Sequence, residues 1–169
     1  VLDPVMVATS GDRLIADDTV RVLVDRLFPL VTVITPNLDE AALLLQQPIA
    51  SVSELSGAAQ ALMSQGARAV LLKGGHLPGD EVVDVLTHRG QPEVVLASPR
   101  IASRNTHGTG CTLSSAIAAQ LAWGLPLEDA VRAARAYILG AIQAGASVQV
   151  GHGHGPLNHG YAPLATRLL

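Results

Sequence analysis

The segment Arg104-Asn-Thr-His-Gly-Thr-Gly-Cys111 constrains this chain most. Two glycines bracket Thr109, a cysteine follows, and an alanine-rich apolar run continues to Ala122. That pattern is a glycine-rich turn feeding a helix. Glycines let backbone N–H groups approach an anion closely, and a helix N-terminus carries partial positive charge. Cys111, the only cysteine, falls in the helix's first turn. The positive helix end favours thiolate chemistry there. An anion cradle and a potential base would then share one turn. A tight turn and an inert small side chain account for the same residues, so context has to decide.

The apolar residues define what surrounds this turn. Hydrophobic residues make up 49% of the 169, and the only aromatics are Phe28, Trp123, Tyr137 and Tyr161. The core must therefore be built from Ala, Val, Leu and Ile, which suits a buried parallel sheet flanked by helices. The length suits one domain, 1–169. A net charge of −3 without a basic stripe argues against nucleic acid as a partner. One cysteine excludes an intrachain disulfide framework, and a cytoplasmic location is the default expectation. No run of roughly 18 apolar residues is present to span a bilayer, so no membrane association is expected.

Short apolar runs alternate with helical spacing. Residues 1–3 read as a strand end broken by Pro4, and 5–13 as a loop containing Ser10-Gly11. A helix is expected over 16–30, with Val20, Leu23, Val24 and Leu27 on one face. A buried strand is expected at 31–35, and Pro36-Asn37 starts a helix to Leu45 with Asp39 and Glu40 in its first turn. Ser51-Val-Ser-Glu54 fits a capping box, opening a helix to Gln65 that stops at Gly66. A strand follows at 69–73, and 82–88 with 93–97 make a hairpin around Arg89-Gly90-Gln91. The glycine turn's helix ends at Gly124, and Pro126 opens a last helix to about Gly145. The tail from Gly151 to His159 is irregular.

This order predicts an α/β fold, a largely parallel sheet with helices on both sides. Ligands of such sheets lie beyond the carboxyl ends of the strands. Asp3, Thr35-Pro-Asn-Leu-Asp-Glu40, Lys73-Gly-Gly-His76 and the Gly108–Cys111 turn all follow strands, so one site is expected to gather them.

Lys73 is the sole lysine, at the end of an apolar strand. It suits a point charge on phosphate, and equally a side chain reaching out to solvent. Asn37 and Glu40 share a helix face and, with Asp3, offer oxygen ligands to Mg²⁺. Acids at a helix start also serve simply as dipole partners. His152, His154 and His159 lack a rigid metal-binding spacing, and a glycine-rich loop folding over a polyanion fits them better. His76 and His107 each border a glycine motif.

Taken in order, five motifs resemble the hydroxymethylpyrimidine/phosphomethylpyrimidine kinases of thiamine biosynthesis, in the ribokinase-like superfamily. They are Asp3-Pro-Val-Met6 with Ser10-Gly11, Thr35-Pro-Asn-x-x-Glu40, Lys73-Gly-Gly-His76, Asn105-Thr-His-Gly-Thr-Gly-Cys111 and Gly151-His-Gly-His-Gly-Pro-Leu-Asn-His159. The resemblance implies a three-layer fold with a mostly parallel sheet and one hairpin. It implies ATP-dependent phosphorylation of 4-amino-5-hydroxymethyl-2-methylpyrimidine, then of its monophosphate. Cys111 would help deprotonate the acceptor hydroxyl, and the Gly108, Thr109, Gly110 and Cys111 amides would stabilise the transferring phosphoryl group. Lys73, Thr35, Thr106 and His107 would meet the ATP phosphates. Asp3, Asn37 and Glu40 would organise Mg²⁺, and Val5 and Met6 would line the pyrimidine pocket. The full-length family is commonly dimeric. Family members carry a substantial segment before Asp3-Pro-Val-Met6, so this chain is expected to be a C-terminal portion, inactive alone. Pyridoxal kinase of the same superfamily is the alternative enzyme, and a non-catalytic thiamine-precursor or nucleotide-binding module the alternative of another class.

Overall fold

The computed structural model describes residues 1–7, 12–149 and 151–163. Ser10 and Gly11 of the early loop motif lie outside the described residues. The chain divides into two compact units, Val1–Arg100 and Ile101–Leu169.

The first unit is built on a short three-stranded sheet. Its strands are β1 (Ala69–Lys73), β2 (Glu81–His88) and β3 (Val94–Pro99), in the order β1-β2-β3. Both pairings are antiparallel: Leu72 faces Val85, and Asp84 faces Leu96. The expected hairpin is β2–β3, with Gly90 at φ +75° and the Gln91 N–H donating to the His88 carbonyl at 3.1 Å.

The expected largely parallel sheet is not what this ladder forms. Only residues 74–80 join β1 to β2. A parallel return needs a crossover of about a dozen residues or more. Among the described residues of the first unit, parallel pairing is confined to isolated bridges: Leu2 with Ile34, Ile34 with Val70, and Asn37 with Lys73. The runs expected as strands at 1–3 and 31–35 thus remain segments joined only by isolated bridges, with Ile34 bridged on both sides. Pro4 and Pro36 follow at once, and neither has an N–H to extend a ladder. Even so, these bridges set the segment ends side by side.

Helices α2 (Leu38–Leu45) and α3 (Leu55–Ser64) pack on this sheet. On α3 the buried positions are Leu55, Ala58, Ala59 and Leu62, one face at helical spacing. They join Val70, Leu72, Val83 and Val85 in a core that also holds Met6, Phe28 and Ile34. Helix α1 (Asp17–Val22) is shorter than expected, because Leu23–Leu27 widens into a five-residue turn. There the Phe28 N–H donates to the Leu23 carbonyl at 3.3 Å. The wider turn rotates the following residues, so Phe28 is fully buried and Leu27 is 41% exposed. Val20, Leu23 and Val24 still pack against the core as the spacing indicated.

The capping box is also not where the sequence pattern put it. Ser51 makes no cap bond; its hydroxyl pairs with Ser53, and Val52–Glu54 forms a single 3₁₀ turn before α3. The capping box sits instead at Asn37 and Glu40, at the start of α2.

The second unit pairs α4 (Thr109–Ala122) with α5 (Leu127–Gly145). Leu113 and Ile117 are buried on α4, and Ala130, Val131, Ala134, Ile138 and Ala141 on α5. Small residues along α5 allow close helix approach. Gly124 at φ +85° ends α4, and Pro126 starts α5.

Gly74 is the tightest point of the first unit. A Cβ there would lie 2.0 Å from the Val83 carbonyl oxygen. Replacing Gly74 by Ala is expected to cost about 2 kcal/mol or more, the scale of forced overpacking. Urea unfolding of the variant checks this, and an unchanged midpoint would contradict the packing described.

Candidate active site

Within the first unit, the parallel bridges bring five of the expected residues together. Lys73 Nζ donates to Asp3 Oδ1 at 3.0 Å, and Thr35 Oγ1 donates to the same oxygen at 3.0 Å. The two charged side chains are only 14% and 13% exposed. Lys73 N–H donates to the Pro36 carbonyl at 3.0 Å, fixing the strand end beside Asn37. Lys73 and Asp3, given separate roles from the sequence, are therefore partners here.

Asn37 and Glu40 form a reciprocal pair. Asn37 Oδ1 accepts the Glu40 N–H at 2.9 Å, and Glu40 Oε2 accepts the Asn37 N–H at 2.7 Å. Glu40 is almost completely buried, at 2% exposure. Burial pushes its carboxyl above the ordinary value of 4.5. The Asn37 N–H and the Lys73 charge pull it back down, while Asp3 opposes them. The site is thus a Lys73–Asp3 ion pair with the buried Glu40 carboxyl within electrostatic reach of both.

This donor set bears on a divalent cation. Among the described residues, no group of three or more His, Cys, Asp or Glu side chains could hold a metal ion. Mg²⁺ does not require one, since it usually takes one or two carboxylates with water and substrate phosphates. Asp3 and Glu40 retain acceptor capacity beyond the bonds above. Asn37 Oδ1 accepts one hydrogen bond at the helix cap and keeps a second lone pair.

Val5 is 46% exposed, whereas Met6 is fully buried in the core. His76 Nδ1 lies 3.0 Å from Asp39 Oδ2, both exposed. Two supporting residues escaped the sequence reading. Asp84, buried on β2, accepts the Gly74 N–H at 3.0 Å. Arg100 donates to the carbonyls of Gly75 at 2.9 Å and Gly79 at 2.7 Å, lacing the turn after Lys73. A lone acid within the apolar run 82–86 was the legible signal for Asp84.

The second unit holds the glycine turn. Gly108 has φ +83°, a conformation that favours glycine, and it is the N-cap of α4. Thr109, Gly110 and Cys111 are the first three residues of α4, where backbone N–H groups lack intrahelical partners; the Thr109 N–H donates instead to the Thr106 carbonyl at 3.3 Å. Cys111 is exposed. Thr106 accepts Thr109 Oγ1–H at 2.7 Å through its carbonyl. His107 pairs its backbone with Pro156, donating its N–H to the Gly155 carbonyl at 3.2 Å. Asn105 is buried and donates through Nδ2 to the carbonyls of Gly145 and Val148, both at 2.6 Å. The tail is thus tied to the turn; His152 and His154 are exposed.

Comparison with known proteins places the chain among kinases. Residues 1–158 match the family model described as phosphomethylpyrimidine kinase. A hydroxymethylpyrimidine/phosphomethylpyrimidine kinase of Rhizobium meliloti is 53% identical over 160 residues, covering 94% of this chain and 60% of that protein. A pyridoxal kinase of Staphylococcus aureus, solved in complex with AMP-PCP, superposes with a TM-score of 0.84 at 33% identity. The match covers 94% of this chain and 57% of that one. A phosphomethylpyrimidine kinase of Clostridium difficile superposes with a TM-score of 0.68 at 34% identity, over 83% of this chain and 55% of that one. The chain spans less than two thirds of each of these proteins. No helix among the described residues is long and apolar enough to cross a membrane.

The raised Glu40 pKa has a definite sign. Below pH 4.5, the carboxyl is protonated folded or unfolded, and the shift contributes nothing. As pH rises above 4.5 the unfolded chain ionises first, so the folded state loses relative stability until Glu40 itself ionises. Glu40→Gln keeps an oxygen for the Asn37 N–H and removes the titration. Urea midpoints of the wild type should fall relative to Glu40→Gln as pH rises from 4.5 toward 7. A difference independent of pH would contradict a strained buried carboxylate.

Proposed function

The chain belongs to the phosphomethylpyrimidine kinase family, and from that premise we propose that it carries phosphoryl-transfer machinery of an ATP-dependent kinase. The substrates are 4-amino-5-hydroxymethyl-2-methylpyrimidine and then its monophosphate, giving the diphosphate used in thiamine biosynthesis. The observation that carries this reading is the Asp3–Thr35–Lys73 cluster with Glu40 beside it. It places one cation and two acids at a strand-end position suited to a metal-bound polyphosphate.

Each residue then has a task. Lys73, oriented by Asp3 and Thr35, meets the phosphates of ATP as a point charge. Asp3, Asn37 and Glu40 would hold Mg²⁺ and its waters, and Asn37 also keeps Glu40 in place through the helix cap. Bound Mg²⁺ supplies charge neutralisation on the phosphates. In the second unit, the Gly108–Cys111 amides stabilise charge on the transferring phosphoryl group, with Thr106 and His107 lining the same turn. Cys111 accepts the proton of the hydroxymethyl group as its oxygen attacks phosphorus. Val5 contacts the pyrimidine, and Met6 supports it from the core.

This reading extends to the whole protein: a three-layer ribokinase-like domain with a mostly parallel sheet, acting as a homodimer in the cytoplasm. Pyridoxal phosphorylation is a second reading, favoured by the structural likeness to the Staphylococcus aureus pyridoxal kinase. Pyridoxal also presents a hydroxymethyl group on an aromatic ring. Turnover of both substrates by the same protein separates the two, and phosphorylation of pyridoxal alone would overturn the pyrimidine assignment.

In the full-length protein, Cys111→Ala should lower kcat by about 100-fold or more, the scale of general-base catalysis. The KM for ATP should stay nearly constant, since backbone amides make the phosphate contacts. Steady-state kinetics with varied ATP checks this; unaltered kcat would remove Cys111 from the mechanism.

A further inference from the structure

We propose that His159 is a positioning residue for the glycine turn, acting through Thr112. The functional meaning of the proposal rests on the reading of that turn as an anion-binding element. Thr112 Oγ1 lies 2.8 Å from the Gly108 carbonyl oxygen and 3.0 Å from His159 Nε2. A hydroxyl has one hydrogen to give, and a carbonyl oxygen can only accept. The hydroxyl hydrogen therefore goes to Gly108. His159 must then donate, which fixes its proton on Nε2. A directed relay results, from His159 Nε2–H to Thr112 Oγ1 and from Thr112 Oγ1–H to the Gly108 oxygen.

The relay acts at the residue that sets the turn. Gly108 is the N-cap of α4 at φ +83°, and its carbonyl also accepts the Thr112 N–H at 2.9 Å. A peptide unit is planar, so holding the Gly108 carbonyl also orients the Thr109 N–H of the same plane. The direction of the first α4 amides follows from that plane. A threonine bond to the carbonyl four residues back is common in helices. What is particular here is a histidine holding the hydroxyl.

His159 can hold it because its own backbone is anchored. Its carbonyl accepts Tyr137 Oη–H from α5 at 2.9 Å. The preceding Asn158 N–H donates to the Ala141 carbonyl at 3.2 Å. At the other end of the tail, Gly155 sits so close to Asn105 that a Cβ would lie 2.0 Å from Asn105 Oδ1. His159 is thus presented to Thr112 from a strap fixed on both sides.

Amide hydrogen exchange across residues 106–112 tests this without requiring activity. His159→Ala should speed exchange at Gly108–Thr112 about fivefold, the scale of one lost hydrogen bond, while the middle of α5 stays unchanged. His159→Gln presents an Nε2 donor and should restore slow exchange. ATP turnover should show KM for ATP rising by a similar factor, with kcat nearly constant. Unchanged exchange in His159→Ala would overturn the proposal. So would failure of glutamine to rescue, or equal loosening throughout α5, which would mean general destabilisation. If the full-length protein turns over no ATP, the kinase reading fails, and the exchange comparison still decides the role of His159.

Discussion

The Asp3–Lys73 ion pair is the interaction on which the first unit's candidate site depends. It links residues 70 positions apart in sequence. Between them lies the segment of Thr35, bridged in parallel to both neighbours through Leu2, Ile34 and Val70. Adjacent strands lie about 4.8 Å apart, so Lys73 and Asp3 stand on segments roughly 10 Å apart. A lysine is long enough to span that gap over the small Thr35 side chain. Such a pair is a poor device for stability. Charges at 14% and 13% exposure lose much of their hydration, and apolar replacements of similar volume are often as stable. Its place at the end of an apolar strand is better explained by chemistry than by folding.

Glu40 follows the same logic. Its carboxylate closes a capping box, a bond worth about 1 kcal/mol. Yet its burial raises its pKa, so part of that gain is offset. An exposed glutamate would cap the helix without that penalty. Holding a buried acid next to Lys73 and Asp3 concentrates charge where a metal-bound phosphate would neutralise it. The second unit solves a different problem. On the proposed reading, it presents backbone amides at the start of α4 without letting the turn collapse. Gly108 supplies the backbone conformation, while Asn105 and the tail supply the restraint.

Much of this was legible in the sequence because it is local. β1 follows from the apolar run 69–73, and the β2–β3 hairpin from two such runs around Gly90. Helix α5 follows from Pro126 and the acids Glu128 and Asp129. The site motifs were visible as polar groups placed after apolar strands. What escaped depends on tertiary context or on subtle local competition. No periodicity reveals that Leu23–Leu27 widens and turns Phe28 inward. Two Ser/Asn-x-x-Glu patterns compete for a capping box, and only Asn37 is positioned beside Lys73 to use it. The antiparallel return of β2 was legible in principle from the short link 74–80. That Asp3 and Lys73 pair, or that His159 meets Thr112, required the folded chain.

The account's central claim is that Lys73, held by Asp3, is the cation that receives a metal-bound polyphosphate. Calorimetric titration of ATP with Mg²⁺ tests it most directly, on the wild type and on Lys73→Met, a variant of similar length without charge. Unfolding midpoints of both proteins establish that each is folded under the titration conditions. The account predicts saturable binding by the wild type and at least about tenfold weaker binding by the variant, the effect of losing one charge-assisted contact. Equal affinity of the two proteins, or no binding by the folded wild type, would contradict it.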